Sequence, residues 1–194
     1  MEPAPYQNYF WQTSLIRLRP LRPEDAEKKH REWLDTEARR LLESQLDLPP
    51  VSLETFRFNL LDVCDFKGDP DRRSFAIETL DGEFVGWINL FLGEPRHGRF
   101  SLGVSIFREY QRKRYALDAA KLILHYGFNE LRCHKCNSAC LDINTGSIAF
   151  HKKLGFVEEG RRREVIFMDG CYHDEILYGM TVDEFNGTGK VPGD

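Results

Sequence analysis

Gly103–Val–Ser–Ile–Phe107 followed by Arg108–Glu–Tyr–Gln–Arg–Lys–Arg–Tyr–Ala116 is the stretch that decides how this chain folds. The first five residues form an apolar strand, and the next nine are a polar turn. An amphipathic helix then carries Leu117, Ala120, Leu124 and Phe128 at helical spacing. A strand that feeds a helix through a polar loop leaves several backbone N–H groups pointing one way. With the positive end of the helix dipole they make an anion site, and phosphate is its usual occupant. Arg112, Lys113 and Arg114 add positive charge at the same place. In isolation the stretch also reads as a solvated basic turn, so the rest of the chain has to choose between the two.

The chain has 194 residues, with 41% hydrophobic and 12% aromatic side chains. That is enough to close the core of one domain, which excludes a disordered polymer. The net charge of −4 argues against general affinity for nucleic acid or an anionic membrane. It suits, weakly, a basic amine-bearing substrate. No apolar run reaches membrane-spanning length, and no basic-then-apolar leader opens the sequence, so the expected location is cytoplasmic. Five cysteines are an odd number without a disulfide-like framework, which fits a reducing compartment. Cys133, Cys136 and Cys140 surround His134, but Cys64 and Cys171 are isolated and offer no second ligand pair. The stretch from His134 to Ile143 reads instead as a strand with small buried thiols, and no metal is expected.

Upstream of the deciding stretch, residues 1–13 are an aromatic arm (Tyr6, Tyr9, Phe10, Trp11) expected to dock, with a partner subunit as one candidate surface. Leu15 to Leu18 alternates apolar and basic residues as a first strand would. Arg22–Pro–Glu–Asp25 starts a helix that runs to Trp33 and Leu34. A polar stretch with Pro49–Pro50 follows, and Ser52 then caps a second helix with Leu53, Phe56, Leu60 and Leu61 on one side. Lys67 to Asp71 is a loop. Ser74–Thr79, Phe84–Leu92 and Arg99–Phe107 are three strands in series, turned at Asp81–Gly82 and at Gly93–Gly98.

Downstream come a strand (His134–Ile143), a helix (Ser147–Leu154, ended by Gly155) and a hairpin. The hairpin joins Val157–Met168 to Tyr172–Met180 through Asp169–Gly170. Residues 14–185 therefore form one α/β (α+β) domain, and residues 186–194, with three glycines, form a loose tail. The expected sheet is mixed, mostly antiparallel and twisted, with about seven strands and flanking helices.

Three blocks now carry a resemblance: Phe107–Ala116; Asn144–Thr–Gly–Ser–Ile–Ala–Phe–His–Lys–Lys–Leu–Gly–Phe156 with Glu159–Gly160–Arg161; and Asp169–Gly–Cys–Tyr–His–Asp174 with Tyr178. Over Leu15 to Glu184 the chain resembles the GNAT superfamily of acetyl-CoA-dependent N-acetyltransferases, most closely its RimJ/RimL-like branch. The resemblance implies transfer of an acetyl group from acetyl-CoA to a primary amine. It places Gln111, Arg112, Lys113, Arg114, Tyr115 and Ala116 around the CoA pyrophosphate. It places Ser105, Ile106 and Phe107 on a splayed strand edge that hydrogen-bonds the pantetheine arm. Asn144 matches an asparagine that contacts that arm, and Ser147 is expected to cap the adjacent helix. His151 falls where many relatives carry a tyrosine that protonates the departing thiolate.

Two departures stand out. The family loop usually has glycine where this chain has Arg112 and Arg114, and relatives often carry a glutamate base where this chain has Ser101. At the second glycine site a Cβ either clashes or forces a different φ. Glu83, Glu94, His97 and Asp174 remain as bases, and Asp174 follows a turn that the family brings to the substrate cleft.

The chemistry sets its own demands. A lysine-like amine with a pKa of about 10.4 is free base in only about one part in two thousand at neutral pH, so a proton acceptor helps. Strand-edge amides polarise the thioester carbonyl, and a charged histidine suits the thiolate. No cysteine sits at a helix N-terminus, which favours direct transfer in a ternary complex over an acetyl-cysteine. Trp33, Trp87 and Phe91 read as core, and Arg161–Arg163 as a solvated strand edge. The acceptor is a small amine or a protein N-terminus, and a homodimer is possible. The rivals are transfer of another acyl group, such as succinyl, and a degenerate relative that binds CoA or a partner without turnover.

Overall fold

The computed structural model describes residues 9–42, 50–64, 71–93 and 95–187. Tyr6, Pro49, the loop residues 67–70, Glu94 and residues 188–194 lie outside them. Seven strands form one sheet in the order β1-β2-β3-β4-β5-β7-β6. They are β1 (Ile16–Pro20), β2 (Arg72–Thr79), β3 (Phe84–Gly93), β4 (Arg99–Ile106), β5 (Lys135–Leu141), β6 (Val157–Met168) and β7 (Cys171–Thr181). Every neighbouring pair is antiparallel except β4 and β5. The parallel step is where the chain leaves β4, crosses the sheet through a helix and returns, as a parallel pair requires.

Among the described residues six α-helices flank the sheet: α1 (Ala26–Trp33), α2 (Thr36–Leu42), α3 (Leu53–Cys64), α4 (Tyr115–His125), α5 (Thr145–Leu154) and α6 (Val182–Gly187). On one face α4 lays Ala119, Ala120, Ile123 and Leu124 against Ile16, Leu18, Ile88, Leu90 and Phe100. On the other, Leu21, Ala26, Leu60, Ala76, Phe84 and Phe107 make a smaller core beneath α1 and α3. Past α4 the chain widens into a π-turn over Tyr126–Glu130. Gly127 sits there because a Cβ would collide with the Phe100 ring. No helix of the described residues is long and apolar enough to cross a membrane.

Three expectations need correction. The polar stretch after α1 contains a third early helix, α2. Its cap was legible: the Asp35 carboxylate accepts the Ala38 N–H at 3.0 Å. Only Ala38, Leu41 and Leu42 mark an apolar face, too few to reveal a period over two turns. Asn186 and Gly187, expected in the tail, close α6 instead. The described part of the arm docks on its own chain. Trp11 packs on Phe75 and Tyr126 with ring centroids 4.9 and 4.8 Å apart, and Thr13 Oγ1 donates to Asp118 at 2.9 Å.

In β1 the basic residues of the alternating pattern do not face water. Arg17 and Arg19 are buried, and their Nε atoms donate to the two oxygens of Glu78 at 2.6 and 2.7 Å. Arg19 also forks onto Asp25 at 2.7 and 2.8 Å. Burial works against the Glu78 carboxylate, but its hydrogen bonds to Arg19 and Arg17 outweigh that and hold its pKa below the ordinary value. The network ties β1, β2 and the start of α1 into one unit.

Candidate active site

β4 and β5 pair only across Arg99–Ser101 and Lys135–Asn137. Beyond that point β4 stays with β3 as far as Ile106 opposite Gly86. β5 stays with β7 as far as Leu141 opposite Glu175. The sheet therefore splits, and the Leu102–Ile106 edge of β4 faces a cavity of about 740 Å³. N–H and C=O groups along such an edge are a template for an extended polar ligand.

One end of the cavity is the loop Gln111–Arg114 and the first turn of α4. Gln111 Nε2 donates to the Ile106 carbonyl at 3.2 Å, fastening the loop to the end of β4. Arg112 and Arg114 both hold left-handed backbone, with φ of 62° and 69°. The loop keeps the shape that glycine would give it and adds two guanidinium groups. Holding each arginine there costs roughly 1–2 kcal/mol, the kind of strain that functional loops retain. Arg114 is the N-cap of α4, and no side chain caps that end. Its first N–H groups are available to an anion. α4 starts at Tyr115, two residues earlier than the helix read from sequence.

The opposite wall is the N-terminal turn of α5. Asn144 is its cap: Oδ1 accepts the Ser147 N–H at 2.9 Å. Asn144, and not Ser147 as expected, is thus the cap of α5. Asn144 Nδ2 donates to the Leu41 carbonyl at 2.9 Å, so the same side chain ties α5 to α2 across the cavity. α2 is also held to the turn after β4, where Arg108 forks onto Asp35 at 2.9 and 3.0 Å and reaches Glu37 at 3.0 Å.

His151 belongs to this wall but is only 2% exposed. Its Nδ1 lies 2.7 Å from the Ser147 carbonyl, which can only accept, so Nδ1 carries the proton. Nε2 lies 2.7 Å from Ser138 Oγ and accepts the hydroxyl proton. The ring stacks on Tyr178, with centroids 4.4 Å apart. Burial pushes its pKa below 6.5, partly offset by the Ser147 hydrogen bond. Burial thus disfavours the charged form on which the acid role expected from sequence depends.

Ser105, Ile106, Gln111 through Ala116, Asn144, Ser147 and His151 all line the one cavity. Phe107 does not: it is 0% exposed and packs on Phe84 and Trp87. Asp174 does not either. Its Oδ1 accepts the Glu164 N–H at 3.0 Å and Oδ2 lies 3.5 Å from Arg161, so it braces the irregular β6–β7 hairpin. Glu83 does not line the cavity but accepts a hydrogen bond from Tyr110, which does, and pairs with Lys28; His97 lies exposed in the β3–β4 connection.

The lining side chains that were not expected from sequence include Ser138, Glu32, Trp33 and Arg39. Trp87, read as core with Trp33, also lines it. Strand alternation puts Ser138 on the face of Cys136 and Cys140, a usable signal. Burial, then the charges of Glu109 and Asp35, raise the Glu32 carboxyl above 4.5 against the opposing pull of Arg108. Cys140 also lines the cavity, but burial raises its thiol pKa, so it is a poor source of thiolate. No group of three or more metal-ligating side chains gathers among the described residues.

Residues 16–157 match the family profile of the acetyltransferase (GNAT) domain. The chain is 31% identical to the SPbeta prophage-derived uncharacterized N-acetyltransferase YokL of Bacillus subtilis, over 91% of this chain and 95% of that protein. It is 32% identical to spermidine N(1)-acetyltransferase of Escherichia coli, over 92% of each chain. Among solved structures, a T. thermophilus protein described as an acetyltransferase superposes with a TM-score of 0.75, covering 91% of each chain at 26% identity. The split sheet, the arginine-bearing loop and these relatives together identify the chain as an acyltransferase that belongs to the GNAT acetyltransferase family.

Proposed function

We propose that the protein transfers the acetyl group of acetyl-CoA directly to a primary amine, within the RimJ/RimL-like branch of its family. One observation carries the reading: a single cavity joins an unpaired strand edge to a cationic loop at an uncapped helix N-terminus. A long ligand with a polar, amide-bearing arm and a pyrophosphate suits that pairing of surfaces.

Gln111–Ala116 amides with Arg112, Lys113 and Arg114 would hold the pyrophosphate, and the β4 edge at Ser105 and Ile106 the arm. Bound there, acetyl-CoA supplies an activated acetyl thioester. Asn144 keeps the cavity walls in register through Ser147 and Leu41. Glu32 takes the proton of the incoming ammonium, a role its raised pKa favours. Ser138 presents a hydroxyl whose proton is shared with His151 Nε2, so this pair moves a proton at the wall. Burial raises the thiol pKa of Cys140, the cysteine that lines the cavity, which disfavours an acetyl-enzyme.

The test is calorimetric titration with acetyl-CoA, with desulfo-CoA as control, followed by thiol release in the presence of amines. Micromolar binding with amine-dependent thiol release is expected. No binding up to millimolar acetyl-CoA would overturn the reading.

A further inference from the structure

Arg39 stands on α2 and, with Trp33, lines the cavity. It is 5% exposed, and its guanidinium carbon lies over the Trp33 ring, 3.9 Å from the centroid. Nη1 donates to the Trp33 carbonyl at 3.3 Å. Nε and Nη2 are buried and have no hydrogen-bond partner, and the Trp33 Nε1–H is in the same state. Among the described residues no carboxylate pairs with Arg39.

A buried guanidinium with unmet donors is expensive unless an acceptor completes it. The pattern of unmet donors is specific. Nε–H and Nη2–H point the same way and form the side-on fork that a planar carboxylate matches with two parallel hydrogen bonds. Trp33 holds the fork in place from beneath and adds a third donor. A polyamine would bring only positive charge to this corner.

We propose that the acceptor amine carries a carboxylate, as a free amino acid does, and that Arg39 holds that carboxylate side-on while Glu32 faces the ammonium. The proposal rests on the acetyl-transfer reading and names its substrate class. Arg39 is a specificity-determining residue; it takes no part in bond making.

The test measures thiol release from acetyl-CoA with a set of protein amino acids, the same set as amino-acid amides, and spermidine. It then repeats the assay with Arg39→Lys, Arg39→Met and Trp33→Phe. The wild type is expected to favour the acids over the amides by about 10- to 100-fold in kcat/KM, as loss of charge-assisted hydrogen bonds implies. Arg39→Lys keeps the charge and stem but loses the fork, so it should raise the KM for acids by about tenfold. The KM for acetyl-CoA should stay within about twofold. Acids and amides used equally well, spermidine preferred over both, or an Arg39→Lys effect confined to acetyl-CoA would each overturn the proposal. Failure to bind acetyl-CoA or to use any amine is a separate result, because it would sink the acetyl-transfer reading first. A thermal shift of the wild type by N-acetylated amino acids, lost in Arg39→Met, gives a readout independent of turnover.

Discussion

Ser138 Oγ lies 2.7 Å from His151 Nε2, the one ring nitrogen of that histidine left to accept a proton. The pair puts a polarised hydroxyl at the cavity wall and keeps the imidazole behind it. Ser138→Ala should lower kcat for acetyl transfer about 100-fold with the KM for acetyl-CoA little changed. A kcat within a factor of about two of wild type, by thiol release, would show that the hydroxyl only fills space.

Buried, His151 also makes stability depend on pH. Its folded pKa lies below 6.5, so on acidification the unfolded chain binds the proton first. The stabilising contribution is intact above pH 6.5, declines below it and is lost once the pH has passed the folded value. Wild type should therefore lose stability below pH 6.5 more steeply than His151→Gln, by up to about 1.4 kcal/mol per pH unit. Urea midpoints measured from about pH 7.5 to about 5.5 decide it; parallel curves would mean an unshifted imidazole.

Arg112 and Arg114 keep left-handed backbone despite their Cβ atoms. Replacing Arg114 by glycine removes the strain and the charge together. Acetyl-CoA should bind about fivefold more weakly at low salt, with a smaller salt dependence and no fall in melting temperature. Tighter binding by calorimetry would mean that the guanidinium hinders the loop.

Glu32 must be ionised to accept a proton, and its raised pKa moves the acid limb of the rate profile above the ordinary 4.5. In wild type kcat should fall as the pH drops through that raised value. Glu32→Gln should cost about 100-fold at neutral pH and flatten the limb. An unchanged acid limb in the variant would assign the base elsewhere.

Local patterns in the sequence determined the strand–loop–helix unit, the hairpin turns and the cap of α3 at Ser52, because each depends on neighbours within a few residues. The motif blocks also brought the loop residues, Asn144, Ser147 and His151 to one cavity, since they sit at element ends whose order fixes their place. Tertiary structure alone decided what those side chains can do. Burial beneath the stacked Tyr178 ring disfavours the charged form of His151 despite the Ser147 hydrogen bond, and no spacing encodes a dielectric. Asp174 shares the motif grammar of a site residue, yet its carboxylate is taken by the Glu164 N–H. Arg39 lies in a polar stretch where no spacing singles it out. Packing on Trp33 turned it into a buried fork with two open donors, a property that arises only when α1 and α2 close over the split in the sheet.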